Sequence, residues 1–247
     1  MLRLHWHSER LVRALARKKI VFIIVEGPSD QDALELLLNN IFDSNRVFVH
    51  VTHGDITSRT GNNASNILKK VTEEIIGYAR NNHFNKVHFQ QVIHIIDMDG
   101  AYVSEDCIIE DETVEKTMYS LNSIKTRNKQ GIIERNLVKS KNIDKLSETP
   151  VIWGEIPYSA YYMSCNIDHV LYNKLNSSDE EKENDSYNFV RKYKSDTEGF
   201  KEFISESDFS VGGDYLSSWK YIKEDKHSLE RHTNLSLCFP KKKQEEE

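Results

Sequence analysis

Three short apolar runs, rich in β-branched residues, constrain this chain most: IVFIIV at 20–25, RVFVHV at 46–51 and QVIHII at 91–96. Such runs suit strands covered on both faces, as in a parallel sheet. The chain between them has helical periodicity. Residues 29–40 follow a turn at Pro28, and their early acids suit the helix dipole. Residues 63–80 put Ile67, Leu68, Val71, Ile75 and Ile76 on one face. Strand, helix, strand, helix, strand predicts right-handed crossovers and a mostly parallel α/β sheet flanked by helices.

The rest of the chain divides less sharply. Residues 1–17 predict an N-terminal helix, with Ser8 as cap and Leu11, Val12, Leu15 and Ala16 as its apolar face. Residues 18–176 form the expected α/β domain, with a basic insertion around 104–148. Within it, 125–145 carries seven Lys or Arg against two acids. A further strand is expected at 150–156 and a helix at 166–176. Residues 177–187 read as a polar linker. The stretch to 247 reads as a mostly helical, peripheral appendage with a frayed tail.

Composition narrows the function. With 247 residues, a net charge of −6 and 29% charged residues, binding of nucleic acid by bulk electrostatics is not expected, so any such site must be a local basic patch or work through metal ions. Cys107, Cys165 and Cys238 are odd in number and widely spaced, which fits a reducing cytoplasm and not a disulfide scaffold or a structural zinc site. The N-terminus lacks a signal-peptide core, and no stretch of about 18 apolar residues occurs.

The chemistry concentrates where strands end. Glu26 follows the first run, and Asp97 and Asp99 follow the third. The carboxyl edge of a parallel sheet is where sites form. Carboxylates delivered there from two strands repel one another unless a hard cation such as Mg²⁺ or Mn²⁺ joins them. On an extended backbone Asp97 and Asp99 point the same way, about 6.6 Å apart along the strand. Gly100 lets the chain turn away. Asp30, one helical turn past Glu26, is either a ligand to a second metal or an acid at a helix N-terminus.

With these residues in view, IVFIIVEGPSDQDAL resembles the first motif of TOPRIM domains, a hydrophobic strand ending in Glu-Gly with an acid shortly after. HIIDMDG resembles the second, the Asp-x-Asp strand end. The family includes topoisomerases, primases, recombination factors, small ribonucleases and OLD-type nucleases of phage defence. The resemblance implies a Rossmann-like TOPRIM fold and Mg²⁺- or Mn²⁺-dependent phosphodiester chemistry, with Asp97 and Asp99 as ligands and Glu26 as ligand or general base. The segment 161–171 resembles the Ser-led helix start of TOPRIM proteins in abortive-infection and RloB-like systems. That match implies Asp168 as a further ligand and Ser164 as a helix cap or supporting group, although the usual acid there is Glu. The chain is similar in size to stand-alone TOPRIM effectors of PARIS-type phage-defence systems. The likeness implies a toxic nuclease acting on tRNA, other RNA or DNA, an ABC-type ATPase partner subunit, and a homo-oligomer among the expectations.

Lesser candidates keep two readings each. Lys125, Arg127, Lys129, Arg135, Lys139 and Lys141 form either a phosphate-holding patch or a solvated basic stretch. His53 and Asp55, after the second strand, either contact substrate or belong to a polar loop. Tyr158, Tyr161 and Tyr162 either stack on bases or pack in the core.

Two rival functions remain. IIDMDGAYV resembles the first motif of haloacid-dehalogenase-type phosphatases, in which the first Asp attacks phosphorus and the second is acid/base. Two βα units precede the motif here, the customary Thr is Ala101, and Glu26 would have no role. The other rival is a TOPRIM-like module that binds nucleic acid without cutting it.

Overall fold

Alternation along the first strand sets the layers. In β1 (Ile20–Val25) all six side chains are buried. Val21, Ile23 and Val25 face one side of the sheet, and Ile20, Phe22 and Ile24 the other. The computed structural model describes residues 19–42, 46–51 and 55–240, with Phe48 and His50 the described side chains of the second strand. The helix expected within 1–17, His53 and the tail from 241 onward lie outside the described residues.

The central sheet is mostly parallel. β1 pairs in parallel with β2 (Arg46–Val51) on one side and β3 (Phe89–Asp97) on the other, and β3 pairs in parallel with β8 (Ile156–Met163). The two-residue β7 (Val151–Ile152) closes the edge antiparallel to β8, giving the order β2-β1-β3-β8-β7. The chain is thus an α/β protein of Rossmann-like layering. Helix α1 (Pro28–Ile41) links β1 to β2, and α2 (Ile67–Asn81) lies between β2 and β3.

The basic insertion is built rather than loose. β4 (Ile108–Glu110), β5 (Met118–Tyr119) and β6 (Ile124–Thr126) make a small sheet. The chain then forms α3 (Lys129–Ser147), which Asn128 caps by accepting from the Gly131 N–H at 2.8 Å. The strand expected at 150–156 is a hairpin, because Trp153 and Gly154 take left-handed φ values of +47° and +91°. The helix expected at 166–176 is the shorter α4 (Ile167–Tyr172), which ends where Asn173 turns left-handed.

The C-terminal stretch differs most from expectation. The polar 177–187 segment starts a helix, α5 (Asp179–Tyr193). Ser178 and Glu181 form a reciprocal capping box, which offsets the low apolar content. Phe189 and Tyr193 of α5, with Phe200 and Ile204 of α6 (Thr197–Ser205), share one core with α1 and β1. Trp219 and Ile222 of α7 (Tyr215–Ile222) pack with α2 and α3 on the opposite face of the sheet. Beyond α7 the chain laces onto the end of β8: the Ser164 N–H donates to the His232 carbonyl and the Cys165 N–H to the Ser228 carbonyl, both at 2.9 Å. Residues 177–240 are therefore layers of one fold and not a peripheral appendage. Among the described residues no helix is long and apolar enough to cross a membrane.

Gly100, in the turn after β3, has a φ of +67°, and a Cβ there would lie 2.7 Å from Leu229 Cδ2 and 2.9 Å from Ile124 Cδ1. Both neighbours are fully buried. Gly100→Ala is expected to cost about 2 kcal/mol, read from the midpoint of a urea melt.

Candidate metal centre

Each acidic side chain reaches the carboxyl edge by a different route. Glu26 is the first residue past β1 and lies beside the turn into α1. Asp55 comes from the loop after β2, where its Oδ1 accepts from the Thr57 N–H at 2.6 Å and from the Thr57 hydroxyl. Asp97 is the last residue of β3. Asp99 follows in a left-handed conformation, φ +47°. That twist overturns the expectation that Asp97 and Asp99 point the same way, which holds only for extended backbone. Asp99 instead joins Asp55 and Glu26, and one carboxylate oxygen from each lies within 4.8 Å of the others.

α3 holds this group from above. Lys139, fully buried, donates from Nζ to Asp55 Oδ2 at 2.5 Å and to Asp99 Oδ2 at 2.6 Å. One turn earlier, Arg135 donates to the Asp99 carbonyl at 2.8 Å and Asn136 to the Gly100 carbonyl at 3.1 Å. One turn later, Asn142 donates to the Thr57 carbonyl at 2.7 Å. These residues lie on one stripe of the helix. They tie the turn after β3 to the loop after β2.

Electrostatics divides the edge into two nests. Burial raises the Glu26 carboxyl well above its usual range, and the neighbouring Asp55, Asp97 and Asp99 add to the rise against the opposing Lys139. Glu26 Oε1 is buried with no hydrogen-bond partner among the described residues. Burial alone would raise Asp55 too, but the Lys139 ammonium holds it well below the ordinary range. Asp97 is raised by burial and then by Asp30, Asp99 and Asp168. Asp30 and Asp168 thus form the second nest around Asp97, balanced by Lys182, whose Nζ lies 3.3 Å from Asp168 Oδ2. Burial likewise raises Asp168.

Asp30 is the acid at a helix N-terminus that one of its two readings expects. Its Oδ2 accepts from the Gly27 N–H at 2.9 Å at the start of α1, and it sits in the acidic nest. Burial, more than its neighbour Asp168, lifts its pKa from 3.8 to about 6. A carboxyl raised on folding contributes stability that is complete below its unfolded pKa and is lost as pH rises through its folded value. The metal-free protein is therefore expected to lose on the order of 3 kcal/mol between about pH 4 and pH 6.5 from this group. The difference between urea melts of wild type and of Asp30→Asn in EDTA across that range measures it.

The other expected site residues scatter. Arg135 and Lys139 turn inward. Lys125 is exposed and pairs with Asp111 at 3.4 Å, Arg127 donates to the Glu112 carbonyl at 3.1 Å, Lys129 is the first residue of α3, and Lys141 is exposed. Tyr158, Tyr161 and Tyr162 are core residues, at most 7% exposed, so the base-stacking reading does not hold. Tyr158 meets buried His94 at 2.9 Å, and Tyr162 donates to the Ser218 carbonyl. Ser164 does not cap α4: Asn166 does, accepting from the His169 N–H, while Ser164 Oγ accepts from the His232 N–H. Asp55 was legible only as a loop residue, and Lys139 only as part of a charge run. The spacing of 135, 136, 139 and 142 on one helical face was the available signal.

The first nest has the donor set that could hold a divalent cation. Three carboxylates converge, all oxygen donors, and Glu26 brings a buried oxygen that no donor among the described residues satisfies. Against this, the Lys139 ammonium already touches two of the three. Comparison with protein-family models, with curated proteins and with solved structures finds no match to this chain.

Proposed function

We propose that this chain is a divalent-metal-dependent nuclease of TOPRIM type, hydrolysing phosphodiester bonds in RNA or DNA. The observation that carries this reading is the convergence of Glu26, Asp55 and Asp99 at the carboxyl edge of a parallel sheet, with Glu26 Oε1 buried and unsatisfied. A bound Mg²⁺ or Mn²⁺ would neutralise the scissile phosphate and lower the pKa of an attacking water. Glu26, Asp55 and Asp99 would hold it. Asp97, with Asp30 and Asp168, supplies further acidic oxygens one nest away. α3 orients the set through Arg135, Asn136 and Asn142. A phosphatase built on Asp97 and Asp99 would leave the orphaned Glu26 without work.

The resemblance to phage-defence effectors extends the proposal to a toxic nuclease controlled by a separate ATPase subunit. The test incubates the protein with plasmid, single-stranded DNA and total tRNA in Mg²⁺, Mn²⁺ or EDTA. Cleavage that needs the metal and is lost in an Asp97→Ala/Asp99→Ala protein supports the reading and names the substrate. Metal-independent cleavage, or cleavage retained by that variant, rejects it.

A further inference from the structure

Lys139 is fully buried on α3, and its Nζ lies 2.5 Å from Asp55 and 2.6 Å from Asp99. These are two of the three carboxylates that converge within 4.8 Å, the third being Glu26. The ammonium thus sits where an ion shared by those carboxylates would sit. We propose that Lys139 is a built-in stand-in for the metal, holding the seat between Asp55 and Asp99 until a divalent ion displaces it. This inference rests on the metal-dependent reading of the same nest.

Three features support the exchange. The ammonium satisfies Asp55 and Asp99 but leaves Glu26 Oε1 with no donor, so the lysine complements the seat incompletely. Glu26, Asp55 and Asp99 carry three negative charges when ionised, and one ammonium offsets only one of them. A divalent ion offsets two and can bind an oxygen from each residue. Finally, the helix is anchored on both sides of the lysine, by Arg135 and Asn136 to the turn after β3 and by Asn142 to the loop after β2. The helix can therefore stay in place while the flexible four-carbon stem carries the ammonium away. The fold then stands without metal, and metal affinity is lower than three carboxylates alone would give. Loading becomes a competition decided by metal concentration.

The wild-type chain tests this directly. Lysines are reductively methylated in EDTA and in saturating Mn²⁺, and the modified peptides are read by mass spectrometry. Lys139 is expected to be protected in EDTA and labelled in Mn²⁺. In parallel, Mn²⁺ is titrated calorimetrically into wild type and into Lys139→Met. The variant is expected to bind at least about tenfold more tightly, because a charged competitor is gone. It is also expected to melt lower than wild type in EDTA, with a larger Mn²⁺-induced rise in Tm. If Lys139→Met does not fold, the labelling result on wild type decides alone. Mn²⁺ that binds wild type at Glu26 while Lys139 stays protected, with no tighter binding to Lys139→Met, overturns the stand-in and leaves the metal reading intact. No Mn²⁺ binding to either protein overturns both.

Discussion

Glu26→Gln is expected to melt at a higher temperature than wild type in EDTA at pH 7.5, and to lose metal-dependent cleavage by about a hundredfold or more. The two effects share one cause. Glu26 is a half-buried carboxylate whose Oε1 is buried with no donor among the described residues and whose neighbours Asp55, Asp97 and Asp99 are also acids. Its folded pKa lies above its ordinary value, so the ionised form opposes folding at neutral pH. Gln keeps the shape and removes the charge. The stability gain should vanish below about pH 4, where the wild-type carboxyl is protonated in both folded and unfolded states. The same substitution removes an anionic oxygen from the metal seat. Added Mn²⁺ should raise the Tm of wild type but barely that of the variant. A variant less stable than wild type at pH 7.5, or one still fully active, contradicts this account of Glu26.

The two aspartates of the Asp-x-Asp pair should move stability in opposite directions, although losing either should cost about a hundredfold or more in cleavage. Asp99 is a partner of the buried Lys139 ammonium at 2.6 Å. Asp99→Asn leaves that ammonium with Asp55 as its one ion-pair partner among the described residues, and is expected to cost about 1–3 kcal/mol. Asp97 lies in the other nest, where burial and the acids Asp30, Asp99 and Asp168 all push its carboxyl up. Asp97→Asn removes charge that the fold must otherwise hold against repulsion, so it should melt higher than wild type in EDTA at pH 7.5. Its advantage should shrink as pH falls and the wild-type carboxyl takes up its proton. Matched denaturant melts of the two variants decide this. Equal shifts of the same sign would mean that the pair acts as one unit.

The first three strands and their acidic ends were legible because their signals are local, whereas β8, interrupted by Pro157 and Ser159, was not. β1 is a continuous apolar run covered on both faces, β3 is buried from Val92 to Ile96, and Glu26, Asp97 and Asp99 stand at or just past strand ends. The interior of the site was not legible, because it is made by contacts distant in sequence. Lys139 meets Asp55 across 84 positions and Asp99 across 40. The inward stripe of α3 includes Asn136, Lys139 and Asn142 beside Ile132, Ile143 and Leu146. Its polar members interrupt the apolar period that marks a buried helix face. The direction of Asp99 depends on a left-handed φ that Gly favours far more than Asp does. Residues 177–187 have the composition of a linker, yet Ser178 and Glu181 carry the capping signature of a helix start.

The central claim is that Glu26, Asp55 and Asp99 share one divalent ion. Crystals of the full chain soaked in Mn²⁺ test it through anomalous scattering. The account predicts a peak at about 2.1 Å from an oxygen of each of the three carboxylates, with Lys139 Nζ moved away from Asp55 and Asp99. No peak in this nest at saturating Mn²⁺, with the Lys139 bridges intact, would contradict the metal centre and the nuclease reading built on it.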